Sequence, residues 1–275
     1  MDIKWMNEQE KGMTLHRRAD MLWLSFPELD AFSWLKNGYS TRFGGVSEGD
    51  YASLNFSISR EGSPEHVKEN YRRFAETLEL NPEHLVCTQQ THTATVIRVG
   101  RNEWGNGYGR KPDWTDVDGL ITNEPDVVLA IQTADCVPLY FVDPVHHAIG
   151  LSHSGWRGTA AGIGRVTIGM MQKEFGSDPR EMYAAIGPCV CQDCYEVDEP
   201  CAKNFPGCYT KPLGNGKYLL DLQGVNRGMF AEAGIPVSHI AMPNICTCCN
   251  PDLLFSHRAS HGRCGTNCGI LAMVR

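Results

Sequence analysis

Apolar residues along this chain fall into short runs instead of one sustained period, and the densest runs lie between Asp126 and Gly158. Val127 to Ile131 is an apolar stretch, followed by a polar loop ending in Cys136. Val137 to Val142 and His147 to Ser152 are two more, joined by Asp143-Pro144-Val145-His146. Runs of this length between turn residues predict buried strands. If Val142 pairs with His147, the register places Cys136 directly opposite His153 on one face of a hairpin. Their Cβ atoms would then lie about 5 Å apart, close enough to share one metal ion. A one-residue slip would separate them, and each residue also has an ordinary role as a buried thiol or a hydrogen-bonded strand-end imidazole.

A different period appears after Ser63-Pro64, which carry the capping hydroxyl and first-turn proline of a helix start. Val67, Tyr71, Phe74 and Leu78 follow at helical spacing, predicting a scaffold helix that ends before Asn81-Pro82. Leu85-Val86 and Thr95 to Val99 read as strands flanking residues 88–92, where extended backbone would turn Gln90 and His92 to the same side. The residues up to about Trp34 have apolar patches suited to peripheral strands and no identifiable chemistry. Residues 159–175 predict a closely packed helix, fed by the turn Ser154-Gly155-Trp156-Arg157-Gly158. No repeat, low-complexity tract or linker divides the chain, so residues 1–275 are expected to form one domain.

Composition narrows the function classes. With 42% hydrophobic and 21% charged residues, 275 residues can bury a substantial core. A net charge of −7 and no run of five basic residues argue against nucleic acid or an anionic membrane as the main partner. The N-terminal residues lack the apolar core of a signal peptide and no run approaches a spanning helix, so a cytoplasmic location is expected. In that setting the 12 cysteines are expected to be thiols, some of them metal ligands.

Candidate chemistry starts from Cys136 and His153. A catalytic zinc needs a third protein ligand and an open fourth position, and His92 supplies it in this reading; the alternative is a surface imidazole. Phe43-Gly44-Gly45-Val46-Ser47 forms either a surface hairpin or, with Arg42 and Ser47, an anion cradle. The turn before Arg157 feeds a helix N-terminus suited to phosphate or carboxylate, or Arg157 pairs with a carboxylate. Residues 101–116 form a glycine- and aromatic-rich loop that covers a pocket or stands as an insertion. Phe43, Trp114 and Trp156 are candidates for the aromatic wall of a ligand pocket. The clusters Cys189-Val-Cys191-Gln-Asp-Cys194 and Cys246-Thr-Cys248-Cys249, with Cys201, Cys208, Cys264 and Cys268, could make a second, structural metal site, but they do not read as the paired repeats of a zinc ribbon, and free thiols are the plainer expectation.

Taken in order, Thr41 to Ser47, Gln90-Thr91-His92, Asp118-Gly119, Ala134-Asp135-Cys136-Val137-Pro138, His153 to Gly158, Ile186-Gly187-Pro188 and Tyr195-Glu196-Val197 resemble the motifs of the YfiH or laccase-domain family, from about Gly38 onward. That family is variously labelled polyphenol oxidase, peptidoglycan editing factor and purine nucleoside phosphorylase. The resemblance implies an α+β, mixed α/β fold with layered sheets and outer helices. It also implies a zinc enzyme for phosphorolysis of adenosine, inosine, guanosine and methylthioadenosine, with adenosine deamination, and zinc ligands at His92, Cys136 and His153. Within it, Cys136, Asp135, His153 and Arg42 are the expected catalytic set, Asp135 for proton transfer or ligand orientation. Substrate or phosphate contacts are expected from Arg42, Ser47, Gln90, Asp118, Arg157 and Arg258. The chain is expected to act on small molecules as a monomer.

Two departures stand out. Ser154 replaces a commoner alanine, and Arg258-Ala259 and Cys264-Gly265-Thr266 stand where many members carry an Arg-Arg pair and Thr-Gly-Arg. Rival readings are a copper polyphenol oxidase, disfavoured because the ten histidines form no His-x-His pair, a Cys136-His153 amide hydrolase acting on peptidoglycan precursors, and a closed zinc-stabilised binding module.

Overall fold

The computed structural model describes every residue except Met1, Lys11, Gly109 and Lys111. Two six-stranded sheets lie face to face. The first runs in the order Thr14–Arg18, Met21–Ser25, Leu35–Ser40, Asn267–Met273, Val128–Thr133 and Leu85–Cys87, antiparallel except for its last pair. The second runs Ile240–Ala241, Tyr183–Ile186, Val137–Asp143, Ala148–Ser154, Gly119–Thr122 and Val96–Arg98, with parallel pairs at both ends. A small sheet of Glu196–Asp198, Lys217–Leu220 and Thr210–Gly214 lies beside them.

The apolar runs have no polar alternation because both faces of their strands are covered. In Val137–Asp143, Tyr140 and Val142 face the core between the sheets, while Leu139 and Phe141 face the outer helices Ile163–Phe175 and Leu222–Glu232. In Val128–Thr133, Leu129 and Ile131 point inward, and Val128 and Ala130 meet the helix Pro64–Thr77. The result is helix, sheet, sheet, helix, the mixed α/β layering expected. The N-terminal strands lie at one edge of the first sheet, as their patchy pattern predicted.

The central hairpin corrects the expected register. Asp143 pairs with Ala148, leaving a four-residue loop, and Pro138, not Cys136, stands opposite His153. The loop keeps four residues but starts one position later, because the Asp143 carboxylate holds the turn, accepting hydrogen bonds from the Val145 and His146 amides and from His146 Nδ1. The displacement is two residues, so Cys136 and His153 remain on one face as diagonal neighbours. The helix expected over residues 159–175 is also broken, into Trp156–Ala160 and Ile163–Phe175, at Gly162 with φ 76°. Among the described residues no helix is long and apolar enough to cross a membrane.

Candidate functional site

The chain crosses between the two sheets at two places that matter for chemistry. Residues 88–95 leave the first sheet after Leu85–Cys87 and enter the second at Val96–Arg98, carrying His92; residues 134–136 leave Val128–Thr133 for Val137–Asp143, carrying Cys136. His153, near the end of Ala148–Ser154, completes the group. Their ligand atoms all lie within 4.8 Å of one another. Cys136 Sγ is 3.8 Å from His92 Nε2, and the two imidazole rings meet nearly at right angles with centroids 4.9 Å apart.

Asp118 organises this cluster. Its fully buried carboxylate accepts from the backbone amides of Thr91, His92 and Thr93, from the Thr93 hydroxyl at 2.8 Å, and from His153 Nδ1 at 2.8 Å. The His153 contact turns Nε2 toward Cys136, which is the arrangement of a histidine metal ligand backed by a carboxylate. The amide contacts hold His92 in the left-handed region, φ 67°, so Gln90 and His92 do not share a strand face as expected. Gly155 supplies the remaining room: a Cβ there would lie 2.6 Å from the His92 ring and 3.1 Å from Cys136 Sγ.

The charges are mutually supporting. Burial alone would push the Cys136 thiol up, but His153 and His92 outweigh it and hold it at about 6. Burial would depress His153, while Cys136 and Asp118 raise it to about 9. Asp118 is held at about 2 against burial by His153 and Thr93. A thiolate beside two oriented imidazoles fits a divalent transition ion such as zinc: His92, Cys136 and His153 would hold it, with one side left open to the cleft.

That cleft has two lobes meeting at His92, Ala134 and Cys136. The larger, about 510 Å³, is walled by Phe56, Val67, Tyr71, Gln90, Gln132 and Thr266, among others. The smaller, about 330 Å³, is walled by Trp156, Tyr195, Leu222, His257, Arg258 and Asp135, among others. Arg60 borders both. The helix Pro64–Thr77 is therefore more than scaffold, and residues 101–116 contribute Gly107 and Pro112 to the larger lobe. Gly109 and Lys111 of that loop lie outside the described residues.

Several expected contacts are not formed. Arg42 donates to the Ala52 and Pro251 carbonyls and lies over Phe255, and Ser47 donates to Glu61 at 2.6 Å; neither lines the cleft. The anion cradle expected of this segment is replaced by close packing, since a Cβ on Gly45 would fall 2.1 Å from the Ser53 carbonyl. Arg157 is exposed, stacked on Trp156, and lies outside both lobes. Gln90 lines the larger lobe but its amide is spent on the Gln132 backbone, continuing the ladder beyond Cys87. Asp118 faces amides and an imidazole, so its expected substrate contact becomes a ligand-orienting one. Asp135 accepts from the Thr247 hydroxyl at 2.6 Å and the Arg258 amide at 2.7 Å, which anchors the crossover that carries Cys136. Of the three aromatic candidates only Trp156 lines the cleft; Phe43 and Trp114 pack against the inter-sheet core. The Ser154 hydroxyl is accommodated by Thr159 and Asn226.

Sequence reasoning missed Arg60, Tyr71 as a cleft residue, and Tyr195. Arg60 belongs to no motif, and nothing in its neighbourhood signals that it reaches a site thirty residues and more away. Among the described residues the only other metal-competent group is Cys191, Cys194, Cys246 and Cys249, and it contains no histidine, so several imidazole-rich copper centres have no ligands here.

The chain is similar to known proteins along most of its length. The sequence matches the family described as multi-copper polyphenol oxidoreductase laccase over residues 36–274. It is 39% identical to the purine nucleoside phosphorylase YlmD of Geobacillus stearothermophilus, over 83% of this chain and 86% of that protein. It is 34% identical to a purine nucleoside phosphorylase of Bacteroides thetaiotaomicron, over 87% and 92%. Among solved structures, the Bacillus licheniformis hypothetical protein YfiH superposes with a TM-score of 0.87 at 31% identity, covering 94% of this chain and 98% of that one. The Geobacillus YlmD structure gives 0.86 at 35% identity, covering 95% and 99%. By its sequence, its layered fold and its relatives, the chain belongs to the YfiH or laccase-domain family, whose similar members carry the name purine nucleoside phosphorylase.

Proposed function

We propose that this chain is a zinc-dependent purine nucleoside enzyme, splitting adenosine, inosine, guanosine and methylthioadenosine by phosphorolysis and also deaminating adenosine. The observation that carries the reading is the open His92, Cys136 and His153 set at the meeting point of two cleft lobes, in a chain similar to named purine nucleoside phosphorylases. When bound, zinc supplies Lewis-acid polarisation at that point. The protein's own groups supply the rest. Asp118 fixes the orientation of His153 and His92, and Asp135 fixes the turn that presents Cys136.

Trp156 and Tyr195 offer aromatic faces to a purine in the smaller lobe. Arg60 is the phosphate ligand in this reading: its Nη1 donates to the Cys264 carbonyl, and among the described residues its other nitrogens have no protein acceptor. Arg258 donates through Nη2 to the Glu196 carbonyl and borders the same lobe. In phosphorolysis a phosphate oxygen bonds to C1′ as the C1′–N bond breaks, and the purine takes up a proton as it leaves. Two guanidiniums at the phosphate favour that step by holding the nucleophile in line and balancing its charge. In deamination, water adds at C6 and ammonia departs.

Product analysis tests the reading. Metal-quantified protein with adenosine should yield adenine and ribose 1-phosphate only when phosphate is present, and inosine without phosphate. Zinc-replete protein that yields neither product overturns it.

A second reading rests on one observation, the Cys136 sulfur set between two imidazoles of which His153 is oriented by Asp118, as in a nucleophile, base and orienting carboxylate. It makes the chain an amide hydrolase, and predicts an acyl adduct on Cys136. Stoichiometric zinc coordinated by Cys136 removes it.

A further inference from the structure

The second cysteine cluster has no part in the cleft. Cys191 and Cys194 are spaced as C-x-x-C, and so are Cys246 and Cys249. Both pairs are obscured in the sequence by neighbours, Cys189 before the first and Cys248 inside the second, which is why the zinc-ribbon spacing goes unnoticed there. The fold separates the ligands from the bystanders. Residues 189 and 246 form a parallel bridge, the Thr247 amide donates to the Cys189 carbonyl at 3.0 Å, and the two loops lie side by side. Their turns then bring the sulfurs of Cys191, Cys194, Cys246 and Cys249 within 4.8 Å of one another.

We infer that these four cysteines bind one zinc ion in a closed, tetrahedral, structural site separate from the cleft. Thiolates at about 2.3 Å from a zinc ion stand about 3.8 Å apart from each other, and Cys194 Sγ lies 3.5 Å from Cys249 Sγ. Sulfurs this close surround a single ion, not an iron–sulfur cluster. The Cys191 amide donates to Cys246 Sγ at 3.2 Å, the kind of bond that disperses thiolate charge around such an ion. All four are thiols, Cys246 is fully buried and the other three are half-buried. Four free thiols gathered in one place gain little from packing; one cation compensates all of them.

The surroundings are built to be held. Asn250 donates to the Cys246 and Lys4 carbonyls and accepts from the Lys4 amide, and Asn244 ties Asn7 and Glu10 to the same loop. The ion would staple the loop of residues 189–194 to that of residues 246–249, two segments with no strand pairing beyond a single bridge. It does not depend on the nucleoside reading, since its ligands are distinct from His92, Cys136 and His153.

Metal counting tests it. Purified wild-type protein should contain two zinc ions per chain, and Cys136→Ala one. In that Cys136→Ala protein, cobalt exchanged for the remaining zinc should show the intense sulfur-to-cobalt charge-transfer absorption of four thiolates. Cys191→Ser combined with Cys194→Ser should lose the same single ion and melt at lower temperature; should that variant fail to fold, the cobalt spectrum of Cys136→Ala decides alone. A Cys136→Ala protein that is metal-free and whose four thiols react with a disulfide reagent overturns the inference. So does a disulfide among these residues found by mass spectrometry under non-reducing conditions.

Discussion

Two groups of metal-competent side chains lie among the described residues of this molecule, and they differ in nearly every physical respect. The cleft set mixes one thiol with two imidazoles, sits where two crossovers pass between sheets, and is oriented from behind by a carboxylate carrying five hydrogen bonds. The other has four thiols, two adjacent loops and no carboxylate among its ligands. Three protein ligands with an open side suit exchange of a reactant, whereas four ligands complete a tetrahedron and leave nothing to exchange. Where a chain places its histidines and carboxylates thus separates a reactive centre from a fastening.

The largest test of that contrast is Cys136→Ala. It should abolish nucleoside turnover, by at least about 100-fold, and remove the cleft ion while the four-cysteine ion stays in place. Full activity in the variant would break the assignment of the cleft as the reactive centre. Asp118→Asn comes next: an amide cannot accept all the bonds that the carboxylate does, so metal affinity should weaken by about 10- to 100-fold. Activity should return when zinc is added in excess, and a loss that excess zinc leaves unchanged would place Asp118 in the chemistry instead of behind it.

Arg60→Ala should raise KM for phosphate about 10-fold through loss of a charge-assisted hydrogen bond, with phosphate-independent inosine formation unaffected. Equal loss in both reactions would assign Arg60 to the nucleoside and not to phosphate. Gly155→Ala introduces a methyl 2.6 Å from the His92 ring. His92 must shift, and zinc at the cleft should bind roughly three- to tenfold more weakly, with the four-cysteine ion untouched. The smallest effect is expected for Arg42→Ala. Its bonds to Ala52 and Pro251 carbonyls tie two segments together, so stability should fall by about 1–2 kcal/mol while KM for phosphate is unchanged. A phosphate defect as large as that of Arg60→Ala would restore the anion cradle first read from the glycine-rich segment.

The central strands, the helix after Ser63 and the meeting of Cys136 with His153 were legible in the residues, because each depends on short-range rules; His92 joined them only through the need for a third ligand and the family resemblance. Uninterrupted apolar runs mark strands covered on both faces, helical spacing marks an amphipathic helix, and residue parity along a strand fixes its face. Parity also explains why a register two residues out still put Cys136 and His153 together. What the sequence left hidden depended on separation in space. Arg42 and Arg60 are equally charged and equally near glycine- and serine-rich segments, and only packing turns one into a tie between loops and the other toward the cleft. The role of Asp118 required residues 91–93 to fold back on it.

The sequence by itself determined the strand and helix content, the absence of any basic surface run, and which few residues can take a metal, since these follow from composition and local periodicity. Only the tertiary structure decided where the two sheets exchange their strands. That exchange brings His92 and Cys136 to one point, and the pairing of two distant loops selects Cys191, Cys194, Cys246 and Cys249 from the 12 cysteines of the chain. Local rules fix the direction of a side chain relative to its own backbone, and long-range packing fixes what it meets.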